Sequence, residues 1–410
     1  MWSRVISILL LYFAFDIYAF QAIRTVAQFS QFKVFFYTLY WLLSIGLIVG
    51  MVLGMMYYFQ SGTPVRWGVW SSALLITLLI TKLFIAVLLL TEDGFRIVET
   101  IVQSIKQKQW VSLHSRRTFV SQLALGVASI PFAGFLYGIT KGKYNYKISN
   151  TVLEFADLPD SFHGFKIVQI SDIHCGSFDD VASVEEGIRL VMEQEADLIV
   201  FTGDLVNQKA KEFIPWKELF SRLKANYGVY SVLGNHDYGD YGRWRVPEEK
   251  KENFAQLLRL QEEAGFKLLM DESTEINKDG QSIFLLGVQN WGMKFSQYGD
   301  LEKCLNTLPT QDGFKILLSH DPTHFDAQVV PHPTQIHLTL SGHTHGMQMG
   351  VNFPWLEWSP IQYIYPKWAG LYKEQDKLLY VNRGFGFLGF AGRVGMWPEI
   401  TVFELKKAQA

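Results

Sequence analysis

The stretch Lys166-Ile167-Val168-Gln169-Ile170-Ser171-Asp172-Ile173-His174 runs from an apolar segment straight into two potential metal ligands. Lys166–Ile170 reads as a buried strand, because a short apolar run bounded by polar residues suits a sheet interior. Asp172 and His174 then stand two residues apart in an irregular loop, where both side chains can turn toward one cation. The same arrangement recurs downstream. Leu198–Thr202 leads into Gly203-Asp204, and Val229–Leu233 into Gly234-Asn235-His236-Asp237. Lys315–Leu318 precedes Ser319-His320, and Ile336–Leu340 precedes Gly342-His343-Thr344-His345.

Helical patterns lie between these runs, at Val181–Gln194, Ala210–Ala225 and Glu248–Ala264. Further strands are expected at Phe266–Met270, Ser282–Val288, Lys377–Val381 and Ile400–Leu405. Strands spaced by helices predict an α/β layered fold, and the strand-rich later part adds a second sheet. Ligands in such folds gather beyond the carboxyl ends of strands, so separate loops converge on one point. Divalent cations of the Mn, Fe and Zn group accept a mixture of carboxylate, imidazole and carbonyl oxygen. Asp204 can bridge two ions, and Asn235 offers a neutral amide oxygen. Gly342 and Gly346 let the chain bend around the histidine pair. A lone His-x-His would say little, but five such motifs at strand ends form a coherent two-metal site.

These motifs resemble those of the calcineurin-like metallophosphoesterase superfamily over about residues 150–405, and most closely its membrane-associated bacterial branch. That branch includes phosphoesterases with a twin-arginine-type export signal and a lipid-A-pathway hydrolase of UDP-diacylglucosamine. The resemblance implies a four-layer metallophosphoesterase β-sandwich flanked by helices. It also implies two divalent metal ions, Mn, Fe or Zn, about 3.5–4 Å apart at the sheet edge. By resemblance the first metal takes Asp172, His174, Asp204 and His345, and the second takes Asp204, Asn235, His320 and His343. His236 resembles the non-ligand histidine that protonates the leaving group, with Asp237 orienting it. Met347 stands where related sequences often carry a glycine. The implied reaction is hydrolysis of a phosphate ester or phosphodiester by metal-activated hydroxide, without a covalent phospho-enzyme.

Ahead of this domain lie four apolar stretches, Val5–Phe20, Val34–Phe59, Trp67–Leu90 and Phe119–Ile139. About 20 apolar residues suffice to span a bilayer as helix. Residues 1–140 therefore read as an all-α transmembrane region of four helices, 141–150 as a polar linker and 151–410 as the metallophosphoesterase domain. An even number of spans puts both ends on one side. The Lys and Arg distribution favours the catalytic domain outside the cytoplasm. Ser115-Arg116-Arg117-Thr118-Phe119-Val120 looks like an internal twin-arginine signal, which would carry the folded domain outward; an ordinary basic flank is the alternative. The expected location is thus a bacterial cytoplasmic (inner) membrane, multi-pass, with catalysis on the periplasmic side. Asp16 and Lys82 lie at similar depths in their spans, and an ion pair between them is expected.

The formal net charge of -2 argues against a general nucleic-acid partner. Two cysteines, Cys175 and Cys304, make no disulfide framework. Expected partners are the bilayer and a lipid or membrane-associated phosphate substrate. Soluble nucleotide or sugar phosphates are the alternative substrates, and a non-enzymatic membrane scaffold is the alternative role. Arg393 and Arg383, in a glycine- and aromatic-rich tail, are candidate phosphate contacts. Between Phe353 and Tyr372 aromatic residues alternate with prolines. This segment either caps the domain or meets lipid headgroups.

Overall fold

Successive side chains of a strand point to opposite faces, and this alternation sorts the chain into layers. The computed structural model describes residues 2–62, 64–110 and 116–408, with side chains from residue 12 onward except 61. It divides into two units, Met1–Thr140 and Lys141–Ala410. The N-terminal unit holds α1 (Trp2–Ala27), α2 (Lys33–Ser61), α3 (Arg66–Gln107) and α4 (Arg117–Thr140). Helices of the C-terminal unit are α5 (Val181–Met192), α6 (Lys217–Phe220), α7 (Pro247–Glu263) and α8 (Leu301–Leu305). Its first strands are β1 (Lys147–Phe155), β2 (Phe165–Ile170), β3 (Leu198–Phe201), β4 (Val229–Ser231), β5 (Phe266–Leu268), β6 (Glu272–Lys278) and β7 (Gln281–Gly287). Then come β8 (Phe314–Leu318), β9 (Leu338–Ser341), β10 (Val351–Phe353), β11 (Leu356–Trp358), β12 (Gly370–Glu374), β13 (Lys377–Val381) and β14 (Glu399–Lys407).

One sheet has the order β1-β14-β2-β3-β4-β5 and the other β12-β13-β9-β8-β7-β6, with β10 and β11 apart as a hairpin. Ile167, Leu198, Val200 and Tyr230 share a buried cluster with Leu285, Ile316, Leu318 and Leu338, so the two sheets pack face to face. Val168, Ile170, Ile199 and Phe201 point the other way, onto Val184 and Ile188 of α5 and Leu257 and Leu260 of α7. Leu286 and Leu317 meet Leu301 and Leu305 of α8 on the far side. The result is an α/β architecture of helix, sheet, sheet and helix. β2 through β5 run parallel, as do β7, β8, β9 and β13. Within each sheet the motif-bearing strand ends therefore share one edge. Asp180 starts α5 by accepting from the N–H groups of Ala182 and Ser183, which the helix itself leaves unpaired.

Two expectations are corrected here. Lys141–Asn150 is not a free linker: Lys143 is buried against Asp179 at 2.7 Å, and Lys147 opens β1 in register with Glu399. Ala210–Ala225 is not one helix but a 3₁₀ turn, Ala210–Glu212, and the short α6. Pro215 separates them, since proline cannot donate to a helical ladder.

In the N-terminal unit, three helices are long and apolar enough to cross a membrane among the described residues: Lys33–Gln60, Arg66–Gln107 and Arg117–Thr140. The first expected span, Val5–Phe20, lies wholly within α1. α3 has 42 residues, about 63 Å at about 1.5 Å per residue, roughly twice the hydrocarbon thickness. Its polar end carries Asp93, which accepts from Arg96 at 2.7 Å and from Arg117 of α4 at 2.6 Å. Ser115 and His114 lie outside the described residues.

Lys82 Nζ lies 2.7 Å from Asp16 Oδ1 and donates to Ser44 Oγ at 2.6 Å, and the Tyr40 hydroxyl donates to Asp16 as well. Three helices thus meet on one buried pair, because an ion surrounded by apolar residues is stable only with partners. Asp16→Ala should lower stability in detergent by roughly 1–2 kcal/mol. Adding Lys82→Met should restore part of that loss. Additive losses in denaturant titration would show that the pair is not coupled.

Candidate metal centre

Asp172 and His174 follow β2, Asp204 follows β3, and Asn235, His236 and Asp237 follow β4. His320 follows β8, and His343 and His345 follow β9. Asp172, His174, Asp204, His343 and His345 all have left-handed backbone, with φ between 44° and 73°. Aspartate and histidine tolerate this region better than branched residues, yet five instances in these loops mark a backbone held by its surroundings. The loops approach closely. A Cβ on Gly234 would lie 2.2 Å from Asp204 Oδ1, and one on Gly342 would lie 2.2 Å from Asp172 Oδ2.

Two groups of ligand-type side chains result: Asp172, His174 and His345, and Asp204, His320 and His343. Asp204 joins them. Its Oδ2 lies 3.4 Å from His174 Nε2 and 3.2 Å from His320 Nε2, while Oδ1 accepts the His236 N–H at 2.8 Å. His345 Nε2 is 3.3 Å from Asp172 Oδ1. His343 Nδ1 is 3.2 Å from His320 Nε2. Outer atoms are held from behind: His320 Nδ1 lies 2.7 Å from the Thr202 carbonyl, and His343 Nε2 lies 2.9 Å from the Tyr365 hydroxyl. Asn235 Nδ2 donates to the Tyr241 hydroxyl at 3.0 Å.

Electrostatics follow from burial and these contacts. Burial pushes His345 down to about 4, against the pull of Asp172. Burial would also depress His320, but the charge and hydrogen bond of Asp204 carry it up to about 10. His236 is pushed down to about 4 by burial, with Asp204 opposing and the nearby His174 adding.

Two family profiles match the chain in tandem. Residues 3–143 match "Probable Calcineurin-like phosphoesterase, transmembrane domain", and residues 165–347 match "Calcineurin-like phosphoesterase". The uncharacterized metallophosphoesterase YkuE of Bacillus subtilis (strain 168) is 32% identical over 308 residues, 71% of this chain and 98% of that protein. The chain belongs to the calcineurin-like metallophosphoesterase family. Two further relatives have named activities. Phosphodiesterase YaeI of Escherichia coli (strain K12) is 26% identical, covering 71% of this chain and 99% of the relative. UDP-2,3-diacylglucosamine pyrophosphatase LpxG of Chlamydia muridarum is 28% identical, covering 56% and 81%. This metallophosphoesterase is a membrane protein and a metal-dependent phosphoric ester hydrolase.

The residues present fit a metal. His174 Nδ1 and Nε2, His345 Nε2 and Asn235 Oδ1 are buried without a hydrogen-bond partner. Orphaned polar atoms in a protein interior are costly, and here several of them sit on ligand-type side chains around the same loops. Imidazole, carboxylate and amide oxygen together suit Mn, Fe or Zn.

Not every candidate joins the site. Asp237 makes no hydrogen bond to the His236 side chain among the described residues. Its carboxylate instead accepts from the N–H groups of Asp204, Leu205, Val206 and Gly234, tying two metal-site loops together. His236 is oriented by the Asn207 carbonyl, 2.7 Å from Nδ1, and by the Tyr241 ring, 4.6 Å away. Nothing in a side-chain pattern points to that carbonyl. Tyr365 and Tyr241 also escaped the motif reading, since each lies outside a metal-binding motif. Met347 has φ 54°, a conformation that favours glycine.

The two candidate phosphate arginines both have partners within the fold. Arg393 is fully buried and donates to carbonyls of Gly386, Arg383 and Met396, packing beside His345. Arg383 is paired with Glu399 at 2.5 Å and with Glu357. Every nitrogen of the Arg393 guanidinium is thus committed to buried acceptors, whereas Arg383 is held through its two terminal nitrogens and its Nε has no partner. Arg393→Met should destabilise the catalytic unit by roughly 2–4 kcal/mol, because it strands several buried carbonyls. Arg393→Lys should rescue it poorly, as an ammonium lacks the planar fork. Urea unfolding of the purified protein reads both.

Proposed function

We propose that this chain is a membrane-anchored, dinuclear-metal phosphohydrolase that cleaves a phosphate ester or phosphodiester of a lipid or membrane-associated substrate. The observation that carries this reading is the position of Asp204 Oδ2, within 3.4 Å of one histidine group and 3.2 Å of the other. Asp172, His174, Asp204 and His345 would hold one divalent cation, and Asp204, Asn235, His320 and His343 the second. Bound there, two such cations supply Lewis acidity toward phosphoryl oxygens and lower the pKa of water.

The chain's own residues do the rest. The Asn207 carbonyl accepts the Nδ1 proton of His236, which leaves Nε2 as the atom that would first take up a proton from solvent and then pass it to the departing oxygen, returning the ring to its neutral form. Asp237 keeps the loops after β3 and β4 in register, so His236 and Asp204 stay together. Tyr365 and Tyr241 fix the outer atoms of His343 and Asn235.

A relative named as a UDP-2,3-diacylglucosamine pyrophosphatase supports a lipid-linked substrate. The Arg116-Arg117 pair at the start of α4 supports a bacterial inner-membrane protein exported with its domain in the periplasm. A UDP-linked lipid would require the opposite, cytoplasmic side, so orientation and substrate constrain each other. The deciding experiment loads purified full-length protein with Mn²⁺ and compares vesicle-borne lipid phosphates with soluble esters, using Asp204→Ala as control. Turnover of soluble nucleotide or sugar phosphates alone would defeat the lipid reading. Reporter fusions after Tyr146 test orientation: strong activity of a cytoplasm-only reporter there would defeat export.

A further inference from the structure

The aromatic segment beyond the histidine pair divides into two parts with different surroundings. Tyr365, Trp368 and Ala369 pack with Met396 in a buried cluster, as a cap on the domain itself. The part ahead of them is different. Phe353, Trp355, Leu356, Trp358, Tyr363 and Ile364 are exposed, Trp355 by 79% and Tyr363 by 77%. β10 and β11 pair with Phe353 opposite Leu356, which leaves Pro354 and Trp355 at the tip. The Phe353 and Trp355 rings stack at 5.5 Å and 17°. A contiguous apolar edge of this kind normally marks an interaction surface.

We propose that this hairpin docks into the interfacial layer of the bilayer that the chain's own apolar helices cross. Three observations select the bilayer as occupant. The same polypeptide carries membrane-spanning helices, so a lipid surface is its permanent neighbour. Tryptophan and tyrosine, apolar in body and polar at the tip, suit the headgroup zone better than either water or hydrocarbon. Between Val351 and Ile364 the sole charged residue is Glu357, and Arg383 neutralises it. Insertion therefore brings no uncompensated charge into a low-dielectric layer.

The edge is also fastened to the metal centre. Ser359 Oγ donates to the Gly346 carbonyl at 2.8 Å, next to His345, and Tyr365 reaches His343. Docking thus holds these loops near headgroup depth. The docking does not depend on the proposed substrate and applies to a soluble one as well as to a lipid one.

The test uses full-length protein in vesicles of phosphatidylethanolamine and phosphatidylglycerol. Cys175 and Cys304 are buried, so an introduced cysteine takes the label. Trp355→Cys and, separately, Tyr363→Cys receive an environment-sensitive fluorophore, with Glu248→Cys, exposed on α7, as control. Lipids bearing shallow spin quenchers should remove most of the emission at residues 355 and 363 and leave that at 248 unchanged. Labels at 355 and 363 that stay as water-accessible as the control would overturn the proposal. So would labels shielded from water yet untouched by lipid quenchers, since a protein would then cover the hairpin. Quenching does not depend on turnover. Quenched labels without lipid hydrolysis would leave docking intact and remove only the lipid substrate.

Discussion

Asp204→Asn should lower turnover by more than about 10³-fold and reduce bound metal to less than one equivalent. Removing a single electrostatic donor from a reaction centre typically costs about 10²–10³-fold. Asp204 should exceed this because one oxygen serves both histidine groups. Asparagine keeps the shape, and its amide oxygen can still accept the His236 N–H, so the change isolates the charge. His174 and His320 would then face each other without the carboxylate that now lies between them. Metal analysis beside steady-state kinetics reads both effects. A variant that retained two ions and wild-type turnover would remove Asp204 from the centre of the mechanism.

His236→Ala makes a contrasting case. Turnover should fall by about 10²–10⁴-fold, the usual range for general acid catalysis, while both metals stay bound. The ring belongs to neither ligand-type group and is held by the Asn207 carbonyl and Tyr241. Its loss therefore leaves the cation ligands in place. Leaving groups that depart without a proton should be affected least. A nitrophenyl ester is thus expected to lose far less rate than an alkyl ester. Equal losses on both esters, or a loss of metal, would assign His236 a structural role instead.

How legible each part was depends on how local its cause is. The runs before Asp172, Asp204, Asn235, His320 and His343 were readable because burial on both faces demands continuous apolar residues. β1 was not readable. It is a half-exposed edge strand whose partner, β14, lies some 250 residues away, so its reason for existing is non-local. β6 is a similar polar edge, paired with β7 alone. The broken helix at Ala210–Ala225 was a different kind of miss, because Pro215 announced it. Arg393 and Arg383 show the limit for sites. Guanidinium chemistry suits phosphate, carboxylate and peptide carbonyl equally, and only the fold decides which is within reach.

By itself the order of residues determined that this protein has apolar helices long enough for a bilayer, an α/β domain after them, and metal-type side chains at its strand ends. Those properties follow from side-chain chemistry and short-range periodicity. Tertiary structure decided which oxygen stands between the two histidine groups, which carbonyl turns His236, and which aromatics stay uncovered. Each of these depends on the packing of loops distant in sequence, where a shift of one ångström changes the partner.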